Sequence, residues 1–268
     1  MTYVYPVVSR RARGVSLGIN LNPNNACNWR CIYCQVPNLR RGAPPPIDMA
    51  KLGAELRGML TEIVHGDFMM RHVAADMRHL RDIALSGNGE PTSASQFHEV
   101  VALIARTMVE FGLSQDDIKL VLITNGSLIE RRNVQAGIEQ MAVCGGEVWF
   151  KFDRATSAGM RQINNTHASP ERHYQRLKHV ARLCPTWVQT CMFALDGSPP
   201  DELEVDAYLA MLTRAKEDGL PLRGVLLYGL ARPSYQPEAS RLQALPKSWL
   251  TKLARHIKAL GWQVSLAP

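Results

Sequence analysis

The chain has 268 residues, 46% of them hydrophobic, enough for a substantial core and for one large α/β domain or two small ones. Its 31 Lys and Arg against 24 Asp and Glu give a net charge of +7; that suits an anionic partner such as RNA, a nucleotide or an acidic peptide, but charge alone specifies none. No run of about 18 apolar residues exists, so no transmembrane span is expected, and Met1 to Val15 carries no signal-peptide apolar region.

The elements follow a repeating beat of apolar strand, polar loop, amphipathic helix and terminating glycine. Val15 to Leu21 alternates and reads as the first strand. A cysteine-bearing loop follows, and Pro44-Pro45-Pro46 breaks the chain before a helix. Asp48 is the expected N-cap of that helix, Leu52, Leu56, Met59 and Ile63 its buried stripe, and Gly66 its stop. His65 to Arg81 has no clear pattern; His65, His72 and His79 recur at seven-residue steps, near one face if the segment is helical.

Asp82 to Ser86 reads as the second strand, running into Gly87-Asn88-Gly89-Glu90-Pro91-Thr92. A helical stripe from Phe97 to Phe111 stops at Gly112. Ile118 to Ile123 is the third strand, entering Thr124-Asn125-Gly126-Ser127; a helix over Leu128 to Cys144 stops at Gly145-Gly146. Glu147 to Phe152 is the fourth strand, ending in Asp153. Ser169-Pro170 is a helix start, with Ser as N-cap and Pro at the first helical position. Trp187 to Leu195 is the fifth strand, Pro199 to Asp218 carries a helix, and Leu222 to Leu230 is the sixth strand. Pro246 opens the last helix, and Trp262 to Leu266 reads as one more short strand.

Strands alternating with helices predict parallel pairing through right-handed crossovers. About six such units make a partial (β/α)6 barrel, and with no stretch of linker composition the whole span 1–268 reads as one domain. In that architecture the active site lies at the carboxyl ends of the strands. The polar motifs all fall there: the cysteine loop, Gly89-Glu90, Thr124-Asn125, Lys151 with Asp153, and Tyr228 with Arg232. Gln189, inside an apolar strand, needs a bonded partner if buried.

The densest chemistry is Ala26-Cys27-Asn28-Trp29-Arg30-Cys31-Ile32-Tyr33-Cys34-Gln35. Three cysteines at C-x3-C-x2-C spacing suit soft metals, either zinc or an iron–sulfur cluster. Structural zinc wants four closed ligands, and no later histidine completes a recognised finger spacing. Three thiolates hold three irons of a four-iron cubane and leave the fourth open to a chelating ligand. Cys144, Cys184 and Cys191 form no close metal pattern and read as packing residues. Arg10, Arg11 and Arg13 before the first strand, with Arg40 and Arg41 after the loop, would guide an anion if both groups face one mouth.

C-x3-C-x-aromatic-C, with Tyr33 as the aromatic, resembles the cluster loop of the radical S-adenosylmethionine (SAM) superfamily. The resemblance implies a radical SAM barrel, a [4Fe–4S] cluster on Cys27, Cys31 and Cys34, and SAM chelated to the open iron. Asn88-Gly89-Glu90-Pro91 is similar to the superfamily's Gly-Gly-Glu-Pro stretch, which implies SAM contacts at Gly89, Glu90 and Pro91; Asn88 stands where a glycine is common. Tyr33, Asn125, Asp153 and Gln189 complete the implied cofactor-binding set. The order of motifs is similar to a subgroup that includes the wybutosine-pathway tRNA enzyme. That type carries a second cluster on upstream cysteines, and no cysteine precedes Cys27 here.

The resemblance implies a reductant such as flavodoxin or ferredoxin and, for an oxygen-sensitive cluster, a cytoplasmic setting. The expected substrate is a small anionic or amino-acid-like molecule. RNA, or a glycyl-radical partner protein, is the alternative within the superfamily. A non-catalytic iron–sulfur or zinc protein that binds nucleic acid is the alternative outside it.

Overall fold

The computed structural model describes residues 1–9, 14–114 and 117–267. The chain opens with β1 (Val4–Ser9) and β2 (Gly14–Ile19), then the short β3 (Ala26–Cys27) and β4 (Arg40–Arg41) inside the cysteine loop. After α1 (Met49–Val64) and a short α2 (Phe68–His72) come β5 (Leu80–Leu85), α3 (Phe97–Glu110), β6 (Lys119–Thr124) and α4 (Arg132–Val143). Next are β7 (Glu147–Lys151), α5 (Ser157–Asn164), α6 (Pro170–Leu183), β8 (Thr186–Cys191), β9 (Ala194–Leu195) and α7 (Glu202–Glu217). β10 (Leu222–Tyr228), β11 (Leu242–Gln243), α8 (Lys247–Ala259) and β12 (Val264–Ala267) complete the order.

An eight-stranded sheet runs β1-β2-β5-β6-β7-β8-β10-β12. From β2 onward every neighbouring pair is parallel; only β1 is antiparallel, to β2. The six expected β/α units are therefore present in chain order, as a mostly parallel sheet. α1, α3, α4, α6, α7 and α8 each bury one stripe. α1 buries Leu52, Leu56, Leu60 and Ile63, and its Asp48 N-cap accepts from the Lys51 N–H at 2.9 Å. α6 starts as its Ser169-Pro170 predicts, with Ser169 capping Arg172. Burying a leucine on such a face contributes about 1.5–3 kcal/mol, so the helices are held by packing more than by propensity.

Three features depart from the sequence reading. The first is β1, an additional edge strand. The second is α5, a helix between Asp153 and Ser169. The third is the fate of the three histidines: His65 caps α1, His72 ends α2 and His79 precedes β5, all exposed, so they share no helical face. Arg10, Arg11 and Arg13 lie outside the described residues. No helix among the described residues is long and apolar enough to cross a membrane.

Because β2 through β10 are parallel, their carboxyl ends share one edge of the sheet. A small apolar cluster of Ile32, Ile163, Cys191, Phe193 and Leu242, with Tyr33 and Tyr228 against it, seats the cysteine loop on that edge.

Candidate functional site

The cysteine loop leaves β2 through a stretch dense in asparagine, and these side chains bind it to the turn after β5. Asn20 Oδ1 accepts from the Asn22 and Asn88 N–H groups, both at 3.0 Å. The Asn22 amide donates to the Ala26 carbonyl at 2.8 Å, and the Asn88 amide donates to Asn25 Oδ1 at 2.7 Å. Asn25 itself sits at φ 56°, a left-handed conformation that asparagine tolerates. Gly89 lies so near the loop that a Cβ there would stand 2.1 Å from the Ala26 carbonyl oxygen, one residue before Cys27. Only glycine fits that approach.

Glu90 is buried, and four donors meet its carboxylate. Oε1 accepts from the Thr92 N–H and the Thr92 and Thr124 hydroxyls; Oε2 accepts from the Asn125 N–H at 2.7 Å. Burial pushes this carboxyl up, against the opposing pull of those donors. Pro91 opens a short turn over Pro91–Ser93 behind it. The Asn125 side chain is committed locally: its amide donates to Asn28 Oδ1 at 2.9 Å and its oxygen accepts from Ser127. Asn28 thereby links the cysteine loop to the end of β6.

Asp153 is 2% exposed and is a second junction. Oδ1 accepts from the Cys191 N–H at 2.9 Å and pairs with Lys151 Nζ at 3.0 Å. Oδ2 accepts from the Tyr33 hydroxyl at 2.5 Å and the Asn164 amide at 2.9 Å. Burial alone would raise the Asp153 carboxyl; Lys151, Tyr33 and the two other donors outweigh it and hold the group below its ordinary range. Burial would lower Lys151, but Asp153 and then Tyr228 hold its ammonium above its usual range. Lys151 also donates to the Tyr228 hydroxyl at 2.5 Å and lies against the rings of Tyr33 and Tyr228.

Gln189 is 4% exposed and pairs in register with Lys151 across β8 and β7. Arg154 is equally buried, with no carboxylate in salt-bridge reach among the described residues. Its Nη1 donates to the carbonyls of Asp153 and Cys191.

The three thiols are free and half-buried. Each has donors aimed at sulfur. The Trp29 and Glu90 backbone N–H groups face Cys27, the Val36 and Gln35 N–H groups face Cys34, and the Asn164 amide donates to Cys31 at 3.2 Å. Burial holds all three thiols up, Cys27 to about 12. Thiolates here therefore call for a bound cation, and N–H donors to sulfur are what stabilise and tune iron–sulfur centres. The donor set fits such a cluster. Among the described residues no three His, Cys, Asp or Glu side chains converge as ligands of a single ion.

A clasp that sequence reasoning missed closes over the loop from about 200 residues downstream. The Cys34 carbonyl accepts from the Tyr235 N–H at 3.0 Å, the Ser234 hydroxyl at 3.1 Å and the Gln236 amide at 3.2 Å. Gln236 also donates to the Val36 carbonyl, and Arg30 forms a two-pronged ion pair with Glu238 at 2.7 and 2.8 Å. From α5, the Asn165 amide donates to the Arg30 carbonyl and the Ile32 N–H donates to the Ile163 carbonyl. Arg40 and Arg41 are exposed beside the loop, and Arg41 donates to the Asn28 and Asn165 carbonyls.

No family model matches the chain. It is similar to UPF0026 protein MJ1312 of Methanocaldococcus jannaschii, 29% identical over 173 residues, which is 62% of this chain and 45% of that protein. The match spans less than half the length of the curated relatives. Among solved structures, a radical SAM methyltransferase from Sphaerobacter thermophilus aligns over 98% of this chain and 68% of its own, with TM-score 0.60 and 12% identity. The structure of TYW1 with a lysine–pyruvate adduct bound aligns over 92% of this chain and 74% of its own, with TM-score 0.57 and 14% identity.

Proposed function

We propose that this chain, which has the fold of the radical SAM enzymes, is a single radical SAM domain with one [4Fe–4S] cluster on Cys27, Cys31 and Cys34. The observation that carries the reading is the C-x3-C-x2-C loop seated at the carboxyl ends of parallel strands, with donors to each sulfur and Gly89 packed against its first turn. When bound, the cluster supplies one electron to SAM, whose cleavage starts radical chemistry.

The chain's own residues bind, orient and exclude water. Gly89, Glu90 and Pro91 form the SAM-side turn, with Oε2 of Glu90 retaining acceptor capacity for an ammonium. The buried Gln189 amide is a polar contact for SAM or substrate. Asn125 and Asp153 border the same space, and their side chains also hold Asn28 and Tyr33 in place. A small anionic or amino-acid-like substrate is favoured by Arg154, because a buried guanidinium without a carboxylate is costly unless an anion joins it. A reductant such as flavodoxin or ferredoxin supplies the electron, in a reducing, cytoplasmic setting.

RNA is the second reading. A surface groove of about 370 Å³ between α6 and the start of α4 is lined by Arg172, Arg176, Lys178, His179 and Arg182, with Glu130. Filter binding to RNA with a steep salt slope, lost on charge reversal in this groove, favours it.

The cluster is tested by anaerobic reconstitution of the natural chain and of a Cys27→Ala, Cys31→Ala, Cys34→Ala variant. The expected result is about four irons with charge-transfer absorbance in the first and neither in the second. Equal iron and absorbance in both overturns the assignment.

A further inference from the structure

α6 carries a basic stripe that the cluster and SAM contacts do not use. Arg172, Arg176, His179 and Arg182 recur at steps of four, three and three, so they share one face. The inner face of the helix, with Tyr174, Leu177, Val180 and Ala181, is buried. The basic stripe lines the groove that α6 forms with the start of α4. Arg176 is set deepest in it, with a side chain only 10% exposed. Among the described residues its Nε has no hydrogen-bond partner. Its Nη2 reaches Glu130 Oε2 only at 3.4 Å. Arg172 meets the same carboxylate at 2.9 and 3.3 Å. Glu130 is half exposed, on the loop between β6 and α4. Lys178, on the groove wall, is already paired with Asp218 at 2.9 Å.

A buried guanidinium with a donor left unmade is costly. An ion pair built for stability would seat its carboxylate on the buried fork. Here Glu130 sits on the exposed arginine and only grazes the buried one. The guanidinium fork matches phosphate oxygens with two parallel N–H donors. We infer that this groove is a phosphate-binding site, in which Arg176 recognises the anion and Glu130 is the occupant that it displaces. Arg172 and Arg176 hold the Glu130 carboxyl below its ordinary range, so that resident charge persists at neutral pH.

The groove is placed near the candidate site. α6 follows β7 and α5 and leads back to β8, so its Arg172 end lies toward the carboxyl ends of the strands. The loop that carries Glu130 also holds Ser127, whose hydroxyl accepts from the Asn28 amide of the cysteine loop at 2.6 Å. Two sources share the chemistry of the site: a phosphorylated small molecule and the backbone of RNA. In the second form the inference rests on the RNA reading; as a phosphate site it stands apart from it. Arg182 separates the two. It lies about 9 Å along the helix from Arg176, beyond one bound phosphate but within reach of the next phosphate of a strand.

The test measures two affinities of the full-length chain: inorganic phosphate by phosphorus NMR titration, and single-stranded RNA of about ten nucleotides by fluorescence polarisation. The natural chain should bind phosphate, and Arg176→Gln should weaken it about tenfold or more. Glu130→Gln, at an exposed position, should tighten phosphate about threefold to tenfold, because the resident competitor loses its charge. Arg182→Ala should weaken RNA and leave phosphate unchanged. No phosphate binding by either the natural chain or Glu130→Gln overturns the site. Weaker or unchanged binding in Glu130→Gln also overturns it, since Glu130 then only bolts the loop to α6. RNA binding that is unchanged in Arg176→Gln leaves the RNA reading standing elsewhere and removes this site. Phosphate binding that tightens in Glu130→Gln, with no binding of RNA, supports the site for a phosphorylated small molecule and ends the RNA reading.

Discussion

Gly89→Ala tests how the cysteine loop is placed. The added methyl would stand 2.1 Å from the Ala26 carbonyl oxygen and 2.7 Å from Asn22 Cγ. Neither yields cheaply. One is backbone, and the other is the amide that holds that same carbonyl at 2.8 Å. Relief requires the turn after β5 and the start of the cysteine loop to move apart. Overpacking of this kind costs about 1–3 kcal/mol, or roughly 2–10 °C in melting temperature for a chain this long. The displaced segment includes Cys27, so iron retention should fall as well. Two controls isolate the contact. Gly112→Ala meets nothing within 4 Å but sits at φ 62°, so it should cost about 1–2 kcal/mol and leave iron unchanged. Gly58→Ala, in α1 with nothing within 4 Å, should stabilise by about 0.5–1 kcal/mol. Urea unfolding of the cluster-free chains and iron content after reconstitution give both numbers. A Gly89→Ala chain with unchanged midpoint and full iron refutes the close approach.

Asp153→Asn leaves Lys151 buried without its anion and should destabilise by about 3–5 kcal/mol. Since the folded Asp153 carboxyl lies below its ordinary value, its stabilisation is present above about pH 4 and is lost as pH falls through the folded value; the variant's urea midpoint should be flatter there. His173, packed among Trp29, Phe150 and Phe152, is lowered to about 4 by burial. It resists protonation when folded, so stability should fall as pH drops from about 6.5 to 4, and His173→Phe should remove that slope. Gln236→Ala removes two hydrogen bonds to the cysteine loop, about 1 kcal/mol each. Amide exchange over residues 31–36 should quicken in the cluster-free chain, and an unchanged rate argues against the clasp.

The β/α units were legible because parallel strands and amphipathic helices announce themselves through periodicity and caps. β1 was not, because Pro6 weakens a strand reading; here Pro6 faces Leu17 from the sheet edge, where a missing N–H is tolerated. α5 escaped because it is only eight residues long and carries Gly159, which is packed so near Glu204 that a Cβ would stand 2.2 Å from its carboxylate. At the candidate site, the cysteines stood out by their C-x3-C-x2-C spacing, and Gly89-Glu90 by its place after a strand and its resemblance to a family motif. The scaffold around them was not, since Asn164, Ser234, Gln236 and Glu238 are ordinary polar residues until the chain folds back on itself. One signal was available: five asparagines lie within residues 20–28, more than a solvated loop requires, and they bind the cysteine loop to the next turn. The heptad of His65, His72 and His79 was a pattern without a structure, because a turn separates each from the next.

The central claim is that the cysteine loop presents a cluster with an open iron to SAM. Mass spectrometry of the nucleoside products after anaerobic reduction, with the natural chain beside the triple cysteine-to-alanine variant, tests it most directly. The account predicts a SAM-derived nucleoside from the natural chain only: 5′-deoxyadenosine for hydrogen abstraction, methylthioadenosine for cleavage at a different carbon–sulfur bond. SAM cleavage that persists in the variant after its iron–sulfur absorbance is gone would contradict it.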